Sequence, residues 1–371
     1  MESKRTLRIG LTLLVGLGLM LPSQLVTARP GRQSAAPKVE VIAEGLSEPR
    51  GLSFGPGRRA LYVAEAGEGG GGLCAAHPIL GEACFGRSGA ITKIDDEGTT
   101  TLVSGLGSIA GELEGLGPHD VSVQGQRLVF TTGLAGTPAL REEFGSFAEE
   151  ALGHLLSSES SSPRRGGVKG IADLVAFEAA ENPDGGPIDS NPFGVLASGE
   201  WTYVTDAGAN ALLRVSRKGQ IQTVAVFPDR MVDFGDEQIS MDAVPTTVVR
   251  GPGGHLYVGQ LTGFPFPVGG ARIFRINKHG DPQVYARGFT NIIDIAFGKH
   301  GTLYVLEIAH NSLLAAEPEG AVIRVLRNGN RRILADGLFF PGGLALGKGG
   351  ALYVTNCGVC FDAGEVLRIT R

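Results

Sequence analysis

The sequence predicts an all-β fold: a six-bladed β-propeller of four-stranded blades, its ring closed by a strand from near the amino terminus. Three observations predict it. First, a phrase ending in Leu-Tyr-Val or a close variant recurs at Leu61-Tyr62-Val63, Leu128-Val129-Phe130, Thr202-Tyr203-Val204, Leu256-Tyr257-Val258, Leu303-Tyr304-Val305 and Leu352-Tyr353-Val354. Second, each unit of about 45–50 residues, longer where insertions fall, holds four short strand patterns separated by Gly, Asp and Asn, as a propeller blade does. Third, the last unit lacks its fourth strand, while a spare strand-like segment precedes the first.

The elements follow in a fixed order. First strands begin at Gly51, Asp120, Gly194, Thr247, Asp294 and Gly343, and third strands at Ala90, His154, Ala211, Ala271, Ala321 and Glu365. Fourth strands are expected at 99–103, 169–175, 220–226, 282–286 and 331–335. The segment "VEVIAEGL" at 39–46 matches "TTLVSGL" at 100–106, the fourth-strand phrase of blade one. Residues 39–43 are therefore expected to complete blade six, leaving no unpaired inner edge as a template for aggregation.

Residues 1–28 read as a secretory signal: Lys4, Arg5 and Arg8, an apolar run at 9–21, and Val26-Thr27-Ala28 before the cleavage point. The apolar run is short for a membrane span, and retention as an anchor is the competing reading. A short linker at 29–38 leads into one toroidal domain at 39–371, which exceeds a usual single-core length because blades pack mainly on their neighbours. Gly at 58 of 371 residues, without a collagen-like period, suits a fold of many tight turns. The leader is net basic, so the body is more acidic than the whole-chain charge of -5, which argues against a nucleic-acid partner. A secreted or periplasmic monomer is expected, its partner a small molecule or an extracytoplasmic protein, with no membrane span after cleavage.

Four cysteines fall in two loops of adjacent blades, Cys74 and Cys84 in blade one and Cys357 and Cys360 ("CGVC") in blade six. In an exported chain disulfides outrank zinc or thioredoxin-like chemistry, since no Cys/His pattern or βαβ context accompanies them. Pairing within each loop is favoured over a cross-pairing that would staple blade one to blade six.

Antiparallel strands bring the start of each first strand and the end of each second strand to one rim. The ligand-binding candidates there are Arg50, His119, Asp120, Asn191, Thr246 and Asn291, with Phe264 and Phe266 in a loop expected beside the channel mouth. Glu65, Asp206, Glu307, Asn356 and Asp294 form an oxygen-rich set suited to calcium, a hard cation. The competing reading of the same side chains is that they cap turns around a wet channel. His119, beside Asp120, is the one candidate for a general base, although a satisfied channel histidine is the favoured reading. No GxSxG, HExxH, P-loop or dinucleotide fingerprint accompanies it. Insertions are expected at about 66–89, 134–152, 157–167 and 227–243; the second carries an amphipathic segment expected to start as a helix, and the third joins third to fourth strand and so belongs to the opposite face.

The phrases "GPHDVSV" (117–123), "DLVAFEAAENPDGGPIDSNPFGVLA" (173–197), "AVPTTVV" (243–249), "LYVGQLTGFPFPVGGARIFRI" (256–276), "GFTNIIDIAFG" (288–298) and "LYVTNCGVC" (352–360) resemble the ScyD/ScyE family, over essentially the whole mature chain. The resemblance implies an exported bacterial propeller of the NHL-like kind and implies no established reaction; the insertion at 157–167 is this chain's own departure. The function expected is a binding or scaffolding module that engages its ligand at the loop-rich rim and central channel. The alternatives are a calcium-dependent hydrolase of lactonase or esterase type, with a channel metal polarising a carbonyl oxygen, and a lyase using His119.

Overall fold

The computed structural model describes residues 36–159 and 167–370. The expected signal at 1–28, most of the linker at 29–38 and most of the insertion at 157–167 lie outside the described residues. The remainder folds into six four-stranded blades arranged as a ring.

Inner strands are Pro49–Phe54, Pro118–Gln124, Pro192–Ser198, Pro245–Arg250, Ile292–Phe297 and Gly343–Leu346. Each contacts the next around the axis, and the sixth contacts the first. The second strands carry the repeated phrase and are buried along nearly their whole length, on both faces, because a blade is sandwiched between two others. That is why the phrase is a continuous apolar run without alternation; Val63, Val204, Val258, Val305 and Val354 are wholly buried.

The tyrosine of the phrase is tied to a glycine a few residues earlier. A Cβ on Gly55, Gly251, Gly298 or Gly347 would come within 2.9, 2.6, 3.0 or 2.4 Å of the ring of Tyr62, Tyr257, Tyr304 or Tyr353. The aromatic ring therefore packs against the turn that joins first to second strand, and the two residue types recur together for that steric reason.

The ring closes as expected. Strand Lys38–Leu46 pairs antiparallel with Gly364–Thr370, with Lys38 opposite Thr370 and Val41 opposite Leu367, and so supplies the outer strand of blade six. It is longer than the predicted 39–43, running on until Leu46 enters the cluster between blades six and one.

Each blade interface holds its own apolar cluster. Val103, Leu128 and Phe130 fill that between blades one and two, Val129, Val204 and Leu213 the next, and Phe227, Val258 and Phe274 the third. Tyr257, Ile273 and Val305 join blades four and five, Leu306, Val322 and Val354 blades five and six, and Leu52, Val63 and Val366 blades six and one. A seventh cluster, with Phe85, Ile109, Leu134, Phe144, Leu152 and Val175, gathers the insertions of blades one and two into a layer of their own.

One local expectation needs correcting. The fourth strand of blade two stops at Asp173 and does not reach 175, because the Asp173 carboxylate accepts the Ala176 N–H at 3.0 Å and caps a helix, Leu174–Glu181. The insertion at 134–152 forms two short helices, Pro138–Glu143 and Ser146–Ala151, the first capped by Thr137. The insertion at 227–243 is an extra hairpin, Arg230–Phe234 paired with Glu237–Met241.

Candidate functional site

The inner strands place two carboxylates at the waist of the channel. Asp120 of blade two and Asp294 of blade five stand in opposite blades of the six. Asp120 accepts the N–H of Val121 at 2.8 Å and of Val195, in blade three, at 2.8 Å. Asp294 accepts the N–H of Ile295 at 2.7 Å, the hydroxyl of Thr247 at 2.6 Å and the N–H of Leu344, in blade six, at 2.7 Å. Both therefore tie a blade to its neighbour. Burial pushes the Asp294 carboxyl up to about 6. Burial, and then the negative charge of Asp294, pushes Asp120 well above the usual carboxylate range.

The waist is narrow. Gly51, His119, Asp120, Phe193, Thr246, Thr247, Ile293, Asp294 and Gly342 surround a cavity of about 10 Å³, room for a single water. A Cβ on Gly51 would lie 2.1 Å from the Asp120 carboxylate, so glycine is required there by close approach. Beyond the waist the inner strands line an open channel cavity of about 430 Å³.

His119 is wholly buried. Its Nδ1 lies 3.0 Å from the Pro192 carbonyl oxygen, its ring packs on Phe193 at 4.5 Å, and a side chain at Gly133 would collide with it. Burial, and then the Arg50 charge, lowers its pKa to about 3, so the ring is neutral and Nδ1 donates to Pro192. Nε2 is left as a buried acceptor without a protein partner. The packed-histidine reading fits these surroundings.

The oxygen-rich set does not gather at one point. At the end of the second strand the side chain turns back to the linker entering its own blade. Glu65 accepts the Ser47 N–H at 2.8 Å, Glu307 the Thr290 N–H at 2.7 Å, and Asn356 the Phe339 N–H at 2.9 Å. Asp206 accepts from Ser190 Oγ at 2.6 Å, Asn191 N at 2.7 Å and Ala209 N at 3.2 Å. Gln260 does the same with reversed polarity, donating to the Ala243 carbonyl at 3.1 Å. Equivalent residues lie on a circle about the axis, one strand spacing of about 4.8 Å outside the inner strands, so they face the linkers and not one another. Among the described residues no three His, Cys, Asp or Glu side chains converge as a metal site.

The other polar candidates are also engaged. Arg50 donates to Glu48 at 3.0 Å and to the Gly115 carbonyl at 2.8 Å, forming a buried ion pair. Burial, partly offset by Arg50, raises the Glu48 carboxyl to about 7. Thr246 donates to the Ile292 carbonyl at 2.9 Å. Asn191 accepts the Leu134 N–H at 3.3 Å, and Asn291 donates to Leu261 O at 3.0 Å while accepting the Leu313 N–H at 3.1 Å. Phe264, half exposed, packs edge-on against Phe234 of the extra hairpin at 4.9 Å. Phe266 packs on Phe264, and its carbonyl accepts from Ser312 at 2.8 Å.

The rim also carries a feature that residue types alone did not reveal. Phe193, Leu261, Leu313 and Phe340, from blades three, four, five and six, are all partly buried against one cluster that includes Ile293. Phe193, of blade three, and Ile293, of blade five, also line the waist. Phe193 and Phe340 stand at the entrances of first strands and Leu261 and Leu313 in the loops that follow second strands, so all four half-buried side chains belong to one rim and make up its apolar collar. The signal available in the sequence was position: each is an apolar residue beside a blade entrance, Phe193 within "NPFG" and Phe340 within "FPGG".

Both disulfides pair within their loops. Cys74 and Cys84 are cross-strand partners with Cα atoms 4.0 Å apart, and Cys357 pairs with Cys360 across the "CGVC" turn. The second turn supports the closure: Cys360 O accepts from Glu48 N at 2.9 Å, and Cys357 N donates to Phe339 O at 2.8 Å.

Fold and site together define a six-bladed β-propeller with a constricted channel and one loop-rich, apolar-collared mouth. No protein-family model and no curated protein matches the sequence. Among solved structures it is similar to a structural-genomics protein of unknown function from Bacteroides thetaiotaomicron, with a TM-score of 0.54 and 9% identity over 90% of this chain and 76% of that one. It is also similar to the soluble aldose sugar dehydrogenase of Escherichia coli in its apo form (TM-score 0.52, 13% identity, 90% and 99% covered). A catalytically inactive virginiamycin B lyase from Staphylococcus aureus, solved with quinupristin, is similar as well (TM-score 0.50, 12% identity, 90% and 99% covered). At such identities the likeness is one of fold.

Proposed function

We propose that this chain is an exported binding propeller whose ligand docks an apolar group into the collar formed by Phe193, Leu261, Leu313 and Phe340. The observation that carries this reading is the contrast at the rim. The polar residues suited to catalysis or metal binding are committed to backbone groups, whereas four apolar side chains from four blades remain partly open at the one mouth. Ligand sites are commonly apolar and concave with few polar groups, and a loop-rich rim on a rigid ring is where they are usually built. Export is supported by the two disulfides, which persist in oxidising compartments, and by the resemblance of the sequence phrases to the exported ScyD/ScyE family.

Ligand-observed NMR with a set of aromatic amides and lactones tests the reading. Saturation transfer to one or more compounds, lost in a folded Phe193→Ser/Phe340→Ser variant, supports it. Lactone turnover that requires calcium and stops with chelator would replace binding with hydrolysis. Signals unchanged in the variant would remove the collar from the account.

A further inference from the structure

A second surface, distinct from the channel mouth, carries a different chemistry. Between the outer strand of blade four, Pro282–Phe289, and the strands of blade five lies a groove of about 800 Å³, well above the 430 Å³ of the channel and within the range of ligand sites. Four arginines line it: Arg287 from blade four and Arg324, Arg327 and Arg331 from the blade-five sequence "RVLRNGNRR". No aspartate or glutamate is among the residues lining it, and no ion pair of the described residues involves these four. The acid whose charge acts on Arg331 is the buried Glu307, which lies outside the groove lining.

This concentration stands out in a chain of net charge -5. Like charges held together repel one another, and an anion relieves that repulsion. The groove is also partly pre-organised. Arg331 is pinned by bonds to the Gly288 and Arg287 carbonyls, with its guanidinium 3.7 Å from the centre of the Phe289 ring. Arg324 keeps a buried Nε without a partner, while Arg287 and Arg327 extend into solvent. Planar guanidinium groups suit the paired oxygens of carboxylate and sulfate better than ammonium groups do.

One further side chain narrows the class of anion. Tyr285 is 44% exposed on the wall of the groove, and its ring is held edge-on against Tyr257 at 4.8 Å and Phe297 at 6.1 Å. A fixed, half-exposed aromatic face beside guanidinium groups offers apolar contact to the C–H face of a sugar ring together with charge pairing to its substituents.

We infer that the Arg287/Arg324/Arg327/Arg331 groove binds an acidic oligosaccharide, the sugar ring lying on Tyr285 and its carboxylate or sulfate groups paired with the arginines. The site shares no residue with the collar.

Calorimetric titration with four probes tests it: a sulfated tetrasaccharide, a galacturonate tetrasaccharide, neutral maltotetraose and inorganic sulfate. At least one charged tetrasaccharide should bind more tightly than maltotetraose and inorganic sulfate, and the preferred one identifies the anionic group. Its affinity should weaken as salt is raised toward roughly 0.15 M. Arg324→Gln/Arg327→Gln should lower that affinity about tenfold or more. Tyr285→Ala should weaken the saccharide while leaving inorganic sulfate unchanged, and Arg217→Gln, at an exposed pair with Glu200, should bind like the parent. Melting curves establish that each variant is folded. No binding of either charged tetrasaccharide, equal binding of inorganic sulfate or maltotetraose, parental affinity in the double arginine variant, or tighter binding of a single-stranded oligonucleotide would each overturn the proposal.

Discussion

Asp120 and Asp294 hold matching positions in opposite blades, and each reaches forward to an amide of the following blade, Val195 at 2.8 Å and Leu344 at 2.7 Å. The pair pins the ring at two points across its axis from inside the channel. Both carboxylates accept from backbone N–H groups, Asp294 from the Thr247 hydroxyl as well, and the rim side chains Glu65, Asp206 and Glu307 likewise accept backbone N–H groups.

Mild acid should stabilise the fold. Burial raises the carboxyls of Asp206 and Asp294 to about 6, Glu48 and Glu307 to about 7, and Glu178 to about 8. Because the folded state binds these protons more tightly than the unfolded chain, whose carboxyls titrate near about 4, stability falls as pH rises through the window from about 4 to about 8. His119 and His154 oppose this, because burial lowers their pKa values and acid below about 6.5 protonates the imidazoles of the unfolded chain first. Asp173, where burial is outweighed by the Arg141 and Ala176 hydrogen bonds together with the His154 and Arg141 charges, adds its opposition only below about 4. The urea midpoint should be higher at about pH 5 than at about pH 8. A midpoint that falls steadily on acidification over that range would contradict the assignment.

The rim carboxylates should matter for folding and not for calcium. Asp206→Ala leaves the Asn191 and Ala209 N–H groups and the Ser190 hydroxyl without their acceptor, at a cost of about 1–3 kcal/mol for each group left buried and unsatisfied. Denaturant melts of parent and variant should differ by a similar amount with calcium and with chelator. A deficit present only when calcium is supplied would restore the metal reading.

Ring closure should be indispensable. Deleting residues 29–46 removes the outer strand of blade six, exposing the edge of Gly364–Thr370 and part of the cluster around Leu46 and Val366. The product should be insoluble or rapidly cleaved by protease. A soluble deletion variant that melts like the parent would show that the strand is dispensable.

Disulfide mapping should recover two short links. A peptide map without reductant should give Cys74 with Cys84 and Cys357 with Cys360, and loss of the first should destabilise the blade-one hairpin by about 2–3 kcal/mol for so short a loop. Peptides joining blade one to blade six would mean that the cysteines contribute to closure directly.

The ring was legible in the sequence because its cause is local and repeated: a doubly buried second strand selects Leu-Tyr-Val, and the tyrosine demands a glycine at the preceding turn. The closing strand was legible for the same reason, since Val39 and its neighbours carry the phrase of another outer strand. The helix Leu174–Glu181 was not, although Asp173 is a good cap, because Leu174 and Val175 also continue a strand pattern. The collar was harder still. Phe193 and Phe340 become neighbours of one cluster only through closure of the whole ring, and no local pattern encodes that. The contact of Phe264 with Phe234 was not legible either, because Phe234 lies in an inserted hairpin whose packing the repeat does not specify.

The most direct test of the central claim, that recognition resides in the apolar collar while the polar rim is scaffold, is one ligand titration on two variants. The compound found in the NMR screen is titrated into Phe193→Ser/Phe340→Ser and into Asp206→Ala, each checked by melting. Binding lost in the first and kept in the folded fraction of the second is the predicted result. Binding kept in the first and lost in a well-folded Asp206→Ala would contradict it.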